Sequence, residues 1–282
     1  MASHQDDYRH AETRQAETLA REAERAGVRR IVYLGGVAPT AEHSDHLRSR
    51  QQVGEVLRAG RVSTVELRAS MIIGQGSLSW LIVRDLAARL PVMVLPRWLK
   101  SRTEPVAIAD VVTALVGALD LEVAGSACFD VPGPEVLSGR DILLRTAAAL
   151  GLASPLIVEV PFLSPRLSSH WVRLVTRADW SVAREIVIGL KTDLLASDAS
   201  YWSRIGHRDL LTFDEAARQT IDDERRTSLL AGPWGLIERA LHLGAALVAA
   251  CVHDSVVGVA ALARERDGAV GTGVERRAET HE

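Results

Sequence analysis

The sequence predicts an α/β fold in which helices cover a parallel sheet, followed by a mainly helical annex. Short β-rich apolar runs alternate with amphipathic segments from residue 7 to 160, as crossover connections between parallel strands require. The run at 31–34, Ile-Val-Tyr-Leu, is apolar at consecutive positions, which is typical of a strand covered on both faces. From residue 165 onward the alternation is lost and helical spacing predominates.

The elements follow from periodicity and from helix-start and helix-stop signals. Helices are predicted over residues 7–26, 45–59, 78–90, 110–119, 138–150, 166–175, 180–190 and 212–225. Extended segments are predicted over residues 31–34, 62–67, 91–95, 106–108, 127–131 and 156–160. Gly27 stands where the first helix should end. Capping boxes formed by Ser138 with Asp141, and by Thr212 with Glu215, indicate where two later helices begin.

These changes in pattern divide the chain into four regions. Residues 7–160 form the sheet domain, and residues 161–230 form the helical annex. Residues 231–267 are an apolar helical segment, and residues 268–282 are a polar tail expected to be disordered. The apolar stretch 240–263 is interrupted by His242, His253 and Asp254. Its uninterrupted part is too short to span a bilayer, so a packed or surface-lying helix is favoured over membrane contact.

Composition excludes several classes of function. The 282 residues carry a formal net charge of -3, which gives no general attraction to nucleic acid, and none is expected as a partner. The two cysteines, Cys128 and Cys251, cannot form a disulfide framework or a CxxC site, and no metal site is predicted. The polar N-terminus is unlike a secretory signal, so a cytoplasmic location is expected. Only two of the 33 basic residues are lysines, which leaves few groups for lysine chemistry.

Four segments, in the same order along the chain, carry a resemblance to a known family. They are residues 26–36 (AGVRRIVYLGG), 46–50 (HLRSR), 66–74 (ELRASMIIG) and 129–135 (FDVPGPE). They resemble atypical short-chain dehydrogenases/reductases, most closely the NmrA-like NAD(P)H-binding proteins, which also resemble an accessory subunit of respiratory complex I. The resemblance spans residues 16–225. It implies a Rossmann-like sheet, NAD or NADP as cofactor, and hydride transfer to a small carbonyl, quinone-like or isoprenoid-like substrate.

The glycine-rich turn that holds the cofactor pyrophosphate in this fold is missing from the sequence. No GxGxxG or GxxGxxG occurs near the N-terminus, and the first helix resembles the one that precedes the family's fifth strand. The resemblance therefore implies an N-terminally truncated, partial Rossmann-like sheet that binds dinucleotide weakly or not at all. Gly74 and Gly76 lack a third glycine at the required spacing, so we interpret them as shaping a loop. The strand at 31–34 would be an exposed edge, which predicts self-association or a partner chain.

The catalytic candidates are His46 and Arg50. Short-chain dehydrogenases use Tyr-x-x-x-Lys on a helix, and none of the three tyrosines here has a lysine four residues later. The resemblance puts His46 and Arg50 at the equivalent positions, where His46 would donate a proton and Arg50 would hold the nicotinamide ribose or an anionic substrate. The alternative is that both side chains lie on a solvated helix face beside Arg48.

The cofactor-binding candidates follow two strands. They are Gly35, Gly36, Arg68, Ala69 and Ser70. The glycines would allow a ligand to approach the backbone, or they would simply shape a turn. The resemblance gives 68–70 nicotinamide-side contacts, whereas the alternative for Arg68 is a structural ion pair with Glu66 or Asp110. The loops at 37–44, 74–77 and 97–103 are expected to converge near these residues.

We therefore interpret the chain as an NAD(P)-binding relative of atypical short-chain dehydrogenases, compromised as an oxidoreductase. The competing interpretation is a non-enzymatic redox-sensing or assembly subunit that binds through the exposed sheet edge. The small-molecule substrate and the choice between NAD and NADP are not specified by any residue in the sequence.

Overall fold

A computed structural model describes residues 3–38, 45–90, 92–96, 100–160 and 192–226. The chain divides into two units, Met1–Gly232 and Pro233–Glu282, and every described residue belongs to the first. The helices predicted at 166–175 and 180–190, the apolar segment 231–267 and the tail 268–282 lie outside the described residues. Within the described part, no helix has both the length and the apolar character that a membrane crossing needs.

The predicted elements that fall within the described residues are present within a few residues of their expected bounds, whereas the short strands at 72–73, 102–103 and 137–138 and the helix at 200–204 were not predicted. The helices are α1 (Ser3–Arg25), α2 (Asp45–Ala59), α3 (Leu78–Arg89), α4 (Ile108–Asp120), α5 (Gly139–Ala149), α6 (Ser200–Arg204) and α7 (Phe213–Arg226). The strands are β1 (Arg30–Gly36), β2 (Ser63–Ala69), β3 (Ile72–Ile73), β4 (Val92–Pro96), β5 (Arg102–Thr103), β6 (Val106–Ala107), β7 (Ala127–Asp130), β8 (Leu137–Ser138) and β9 (Leu156–Val160). The described part of the annex, residues 192–226, is helical at α6 and α7.

The main sheet of the described residues has three parallel strands in the order β1-β2-β7. Tyr33 on β1 lies opposite Glu66 on β2, which in turn lies opposite Cys128 on β7. Two further parallel pairs join β3 to β6 and β4 to β9, and one antiparallel pair joins β5 to β8. The predicted α/β class with a parallel sheet is therefore confirmed.

Helix ends form where the sequence predicts them. Gly27 has φ +65°, and the N–H of Val28 donates to the Ala23 carbonyl at 2.9 Å, so the chain leaves α1 through a left-handed glycine turn. At the start of α5, Ser138 and Asp141 form both hydrogen bonds of a capping box. Thr212 and Glu215 make the same reciprocal contacts before α7.

The two faces of the main sheet differ in chemistry. One face is apolar: Val65, Leu67 and Ala69 of β2 pack with α4 and with Tyr201 and Trp202 of α6. A second apolar cluster joins α3, α5 and α7. The opposite face of β2 instead carries Glu66 and Arg68, the alternate residues of the strand, and α2 packs over it. Residue 31–34 side chains on β1 are only half-buried, so the expected burial of that strand on both faces is not complete.

Candidate functional site

The ends of three parallel strands define the candidate site. β1 ends at Gly36, β2 at Ala69 and β7 at Asp130, and the register places Gly36 beside Ala69. In open α/β sheets, ligands bind outside the carboxyl ends of the strands, which is the edge these residues occupy. The structure thus brings together the ends of the two strands that carry the predicted cofactor contacts. Residues 39–44 and 97–99, which belong to two of the loops expected here, lie outside the described residues.

The glycine at position 35 is explained by packing inside the protein. A Cβ atom at Gly35 would lie 2.8 Å from a carboxylate oxygen of Glu66 and 3.3 Å from the Tyr33 ring. The same carboxylate packs on Gly54 of α2, where an added Cβ would collide with it. Gly35 is therefore needed to make room for Glu66, whereas the adjacent Gly36 lies at the strand end, where a ligand can reach the backbone.

Arg68 is held by an ion pair with a carboxylate that the sequence did not indicate. Its Nε donates to Asp130 Oδ1 at 2.7 Å. The other Asp130 oxygen accepts from both the N–H and the hydroxyl of Ser197, each at 2.7 Å. The expected partners were wrong, because Glu66 pairs with Arg58 at 2.8 Å and Asp110 with His207 at 2.8 Å. The ion pair thus joins β2 to β7 through two residues that lie 62 positions apart in the sequence.

The other two residues of the β2 end are also engaged within the fold. The Ala69 carbonyl accepts from the N–H of Val37 at 3.2 Å, which continues the pairing of β1 with β2 beyond Gly36. The Ser70 hydroxyl donates to the Glu104 carbonyl at 2.9 Å and is half-buried. A hydroxyl that donates in this way retains lone pairs that can accept a hydrogen bond from a ligand.

The predicted catalytic pair lies on α2. Asp45 is the first residue of this helix, so His46 belongs to its first turn and Arg50 follows one turn later. The His46 side chain is not among those the structure describes. Arg50 is exposed, and its carbonyl accepts from the Tyr33 hydroxyl at 3.3 Å. Two residues four apart share one side of a helix, as the resemblance to Tyr-x-x-x-Lys requires.

A buried polar cluster beneath α2 was missed by the reasoning from sequence. Glu66, with 3% of its side chain exposed, joins Arg58 on α2 and lies beside Cys128 on β7. Burial, followed by the neighbouring Glu66 carboxylate, raises the pKa of the Cys128 thiol to about 11. Burial also raises the pKa of the Tyr33 hydroxyl, against the opposing effect of Arg50. The available signal was the alternation of Glu66 and Arg68 within an otherwise apolar strand.

The glycines before α3 do not form a phosphate cradle. A Cβ at Gly74 would collide with the Ile108 side chain, so packing explains this glycine. Gly76 has φ +84°, a backbone conformation that favours glycine, so the turn itself explains the second. Ser77 then caps α3 through its hydroxyl. Within the described ranges, no group of three His, Cys, Asp or Glu side chains is arranged to hold a metal ion.

Comparison with known proteins supports the fold and leaves the family open. No protein-family model matches the chain, and no curated protein does. The structure of DesIV, a dTDP-glucose 4,6-dehydratase from Streptomyces venezuelae with NAD bound, aligns with a TM-score of 0.57 at 17% identity, over 80% of this chain and 69% of its own. Human epimerase family protein SDR39U1 with NADPH aligns with a TM-score of 0.57 at 15% identity, over 78% and 75%.

A third structure, MoeE5 with UDP-glucuronic acid and NAD, aligns with a TM-score of 0.53 at 16% identity, over 75% of this chain and 70% of its own. These likenesses define the class of protein by its fold: a Rossmann-like α/β sheet of the kind found in NAD-dependent epimerases and dehydratases. The NmrA-like relationship and the N-terminal truncation stay predictions, as do the roles of the individual site residues.

Proposed function

We propose that this chain is an NAD(P)-binding relative of the short-chain dehydrogenases, with the nicotinamide half of the cofactor lying at the ends of β1 and β2. The observation that carries the proposal is the side-by-side ending of these parallel strands at Gly36 and Ala69. Three structures that share the fold hold NAD or NADPH. The carboxyl edge of such a sheet is where a dinucleotide binds.

The residues present fit the nicotinamide half in part. Gly36 and Ala69 offer backbone that lacks bulky side chains, and the Ser70 hydroxyl can accept a hydrogen bond from an amide or a ribose hydroxyl. Gly35 and Arg68 are used inside the protein, by Glu66 and Asp130 respectively. We therefore assign them to shaping the site rather than to contacting the cofactor.

Hydride transfer is proposed to be compromised because the proton-transfer pair differs from the family pattern. The cofactor, when bound, supplies the hydride. His46 would donate a proton to the oxygen of a carbonyl substrate near neutral pH. Arg50 could hold an anionic group, but a guanidinium offers only hydrogen-bond donors and would not take the proton-transfer role of the family lysine. Slow or undetectable turnover is the expected result.

Calorimetric titration with four ligands tests whether the ends of β1 and β2 bind the nicotinamide half of the cofactor. NADH, NADPH and reduced nicotinamide mononucleotide should have dissociation constants within about threefold of one another. All three constants should be above about 1 μM, which corresponds to a binding free energy smaller than roughly 8 kcal/mol. ADP-ribose, which lacks nicotinamide, should bind at least about tenfold more weakly. If ADP-ribose bound as tightly as the nicotinamide compounds, the site would not recognise the nicotinamide half. If none of the nicotinamide compounds showed saturable binding, the proposed function would be contradicted.

Two serines at opposite ends of β2 provide a matched comparison, since Ser63 begins the strand and Ser70 follows its last residue. Ser70→Ala removes the hydroxyl at the carboxyl end of the strand, and should weaken nicotinamide binding about threefold to tenfold. Ser63→Ala removes a hydroxyl at the opposite end, where it donates to the Gly125 carbonyl at 2.7 Å, and should leave binding unchanged. Equal effects of the two substitutions would remove Ser70 from the site.

Turnover is measured as NADH or NADPH oxidation with a panel of small carbonyl and quinone compounds. His46→Ala should lower any residual rate at least about tenfold. Arg48→Ala, on the exposed side of the same helix, is the control and should leave the rate unchanged. Activity that survives His46→Ala would show that this residue is not the proton donor.

The second candidate function is a non-enzymatic binding or assembly subunit. It is favoured by the position of β1, which hydrogen-bonds only to β2 among the described strands. An edge strand of this kind offers its backbone groups to another chain. Absence of nicotinamide binding together with stable association of the chain would favour this function over the first.

A further inference from the structure

On one side of the described unit the main sheet ends at β1, and we call this side the open side. β1 is the terminal strand of the order β1-β2-β7, and in the described residues its partner is β2 alone. Its side chains from Arg30 to Leu34 are half-buried, whereas most of β2 is buried. Among the described residues, no strand pairs with the outer row of β1 backbone groups, and an edge of this kind can take up another strand.

Helix α4 carries an exposed apolar stripe above this sheet. The stripe consists of Ile108, Val112, Val116 and Leu119, with 39%, 52%, 59% and 56% of their surface exposed. Spacings of four, four and three residues place these side chains on one side of the helix. A run of four large apolar side chains without a charge among them is unusual for a solvated helix face.

The stripe lies on the same side of the unit as the open edge of β1. The opposite flank of α4 is occupied by α6, since the Tyr201 hydroxyl donates to the Ala114 carbonyl at 2.6 Å and Ile205 packs on Gly117. α6 also contacts β7, the far strand of the sheet. Arg30, at the start of β1, donates to the Leu119 carbonyl at 2.9 Å, which ties the end of α4 to the edge strand.

A cavity marks the end of this open side. It has a volume of about 880 Å³ and is lined by Arg29, Arg30 and residues 119–124. It is continuous with β1 at Arg30 and with the apolar stripe at Leu119. The charged groups around it have both signs, because Asp120 and Glu122 stand beside the two arginines. The open side thus combines a strand edge, an apolar helix face and a concave end with mixed charge.

We propose that a second copy of this chain docks on the open side by two-fold symmetry. β1 pairs antiparallel with β1 of the other copy, centred on Tyr33, which makes a continuous six-stranded sheet. α4 packs antiparallel on its counterpart, with Val112 of each copy against Val116 of the other. The symmetry is of the isologous type, in which one surface recognises itself.

The pattern of side chains favours a second copy as the occupant. A two-fold rotation that reverses α4 about its middle exchanges the positions of Val112 and Val116, because the two lie symmetrically about that point. Reversing β1 about Tyr33 brings Arg30 opposite Gly36, so the charged residue of the strand does not meet its own copy. A surface that is apolar along the helix and free of facing like charges is complementary to itself.

The test is the mass of the 282-residue chain in solution, by chromatography with light scattering from about 1 to 100 μM. The unchanged chain should be a dimer. Val112→Glu with Val116→Glu should raise the dimer dissociation constant at least about 100-fold, because four carboxylates would be buried in the interface. The control is Val136→Glu, which should remain a dimer. Val136 is 51% exposed and stands between Glu135, which pairs with Arg145 of α5, and Leu137 of the second apolar cluster, rather than on α4 or β1.

Amide hydrogen exchange distinguishes pairing of β1 with β1 of a second copy from other ways of covering this strand edge. The β1 amides that do not donate to β2 should exchange at least about tenfold more slowly in the dimer than in the double variant, and protection should fall on dilution. Far-ultraviolet circular dichroism should be the same for the double variant and the control, because all three positions are exposed. The melting temperature of the control should rise with protein concentration, because dimerisation stabilises the folded chain, and that of the double variant should not. A monomer throughout, a dimer unaffected by the double substitution, or protection of β1 that does not depend on concentration would each overturn the proposal.

Discussion

Single residues on the polar face of the sheet show how one carboxylate shapes several positions. Glu66 is buried in the middle of β2, and a buried carboxylate needs compensation. Arg58 supplies an ion pair at 2.8 Å. Gly35 and Gly54, on different elements, supply the space, since a Cβ at either position would contact the carboxylate. Two glycines that look like turn and helix irregularities in sequence are thus consequences of one buried side chain.

The Cys128 thiol should react slowly with alkylating reagents. Its pKa is raised from the ordinary 9.0 to about 11 by burial and by Glu66, so at pH 8 its thiolate fraction is about 100-fold lower than that of an ordinary cysteine. Alkylation with iodoacetamide, followed by mass spectrometry of the Cys128 peptide, measures the rate. Glu66→Gln removes one cause of the shift and should increase the rate at pH 8.

The same shift predicts how stability depends on pH. Because the folded-state pKa of Cys128 is above the unfolded value, the unfolded chain loses this proton first as the pH rises from 9 to 11. The contribution of Cys128 is therefore fully present below pH 9 and is lost as the pH passes through 11. Cys128→Ser should reduce the fall in the free energy of unfolding over this interval, and an unchanged slope would contradict the assignment.

Asp130→Ala should destabilise the protein more than removal of an exposed ion-pair partner. Asp130 is 1% exposed, and the substitution leaves Arg68 and both donors of Ser197 without their acceptor. We expect a loss of about 2 to 3 kcal/mol in the free energy of unfolding by urea. The control is Asp193→Ala, since the Arg102–Asp193 pair lies at the surface, and its loss should stay below about 1 kcal/mol.

At the scale of elements, Arg30 fastens helix α4 to the start of β1. The guanidinium donates to the carbonyls of Ala118 and Leu119 at 3.0 and 2.9 Å, the last acceptors of a helix with no basic residue in its final turn. Arg30→Ala should lower the free energy of unfolding by about 1 to 2 kcal/mol. Arg29→Ala is the control, because the adjacent side chain is exposed, and should change it by less than about 0.5 kcal/mol. Equal losses would show that Arg30 contributes no more than surface charge.

The ends of helices are the features that the sequence predicts best. Each depends on residues close together in the chain, as in the capping boxes that begin at Ser138 and Thr212 and in the turn at Gly27. Such interactions form whenever the local backbone is helical, so the pattern of residues is sufficient. Helix α2 was predicted with the same bounds that the structure has, although the groups beneath it were not foreseen.

At the scale of the whole molecule, a buried ionic network joins helices that are far apart in sequence. Arg84 on α3 lies 3.0 Å from a Glu224 carboxylate oxygen on α7, with 1% and 9% of the side chains exposed. The Trp80 indole donates to the other oxygen of Glu224 at 2.9 Å. Glu224→Ala removes one of two carboxylates beside Arg84, which keeps its ion pair with the buried Asp85 at 2.8 Å, and it leaves the indole N–H without this acceptor. The substitution should cost about 1 to 3 kcal/mol in the free energy of unfolding.

The control for Glu224 lies on the same helix. Asp222 is exposed, and its ion pair within the described residues is with the exposed Arg225, so Asp222→Ala should change the free energy of unfolding by less than about 1 kcal/mol. Urea unfolding of both variants, followed by far-ultraviolet circular dichroism, makes the comparison. Similar losses in the two variants would show that the buried network does not hold α7 in place.

The sequence by itself determined the order of the longer helices and strands, the parallel character of the main sheet and several helix ends, but not the short elements β3, β5, β8 and α6. These depend on hydrophobic periodicity and on contacts between residues close together in the chain, which can be read without knowing the fold. Periodicity also shows that Glu66 and Arg68 share one side of β2. It does not show what lies opposite, because that depends on strand order and register. Only the tertiary structure decided that Arg68 pairs with Asp130, that Gly35 and Gly54 accommodate Glu66, and that α4 presents an apolar stripe beside an open strand edge.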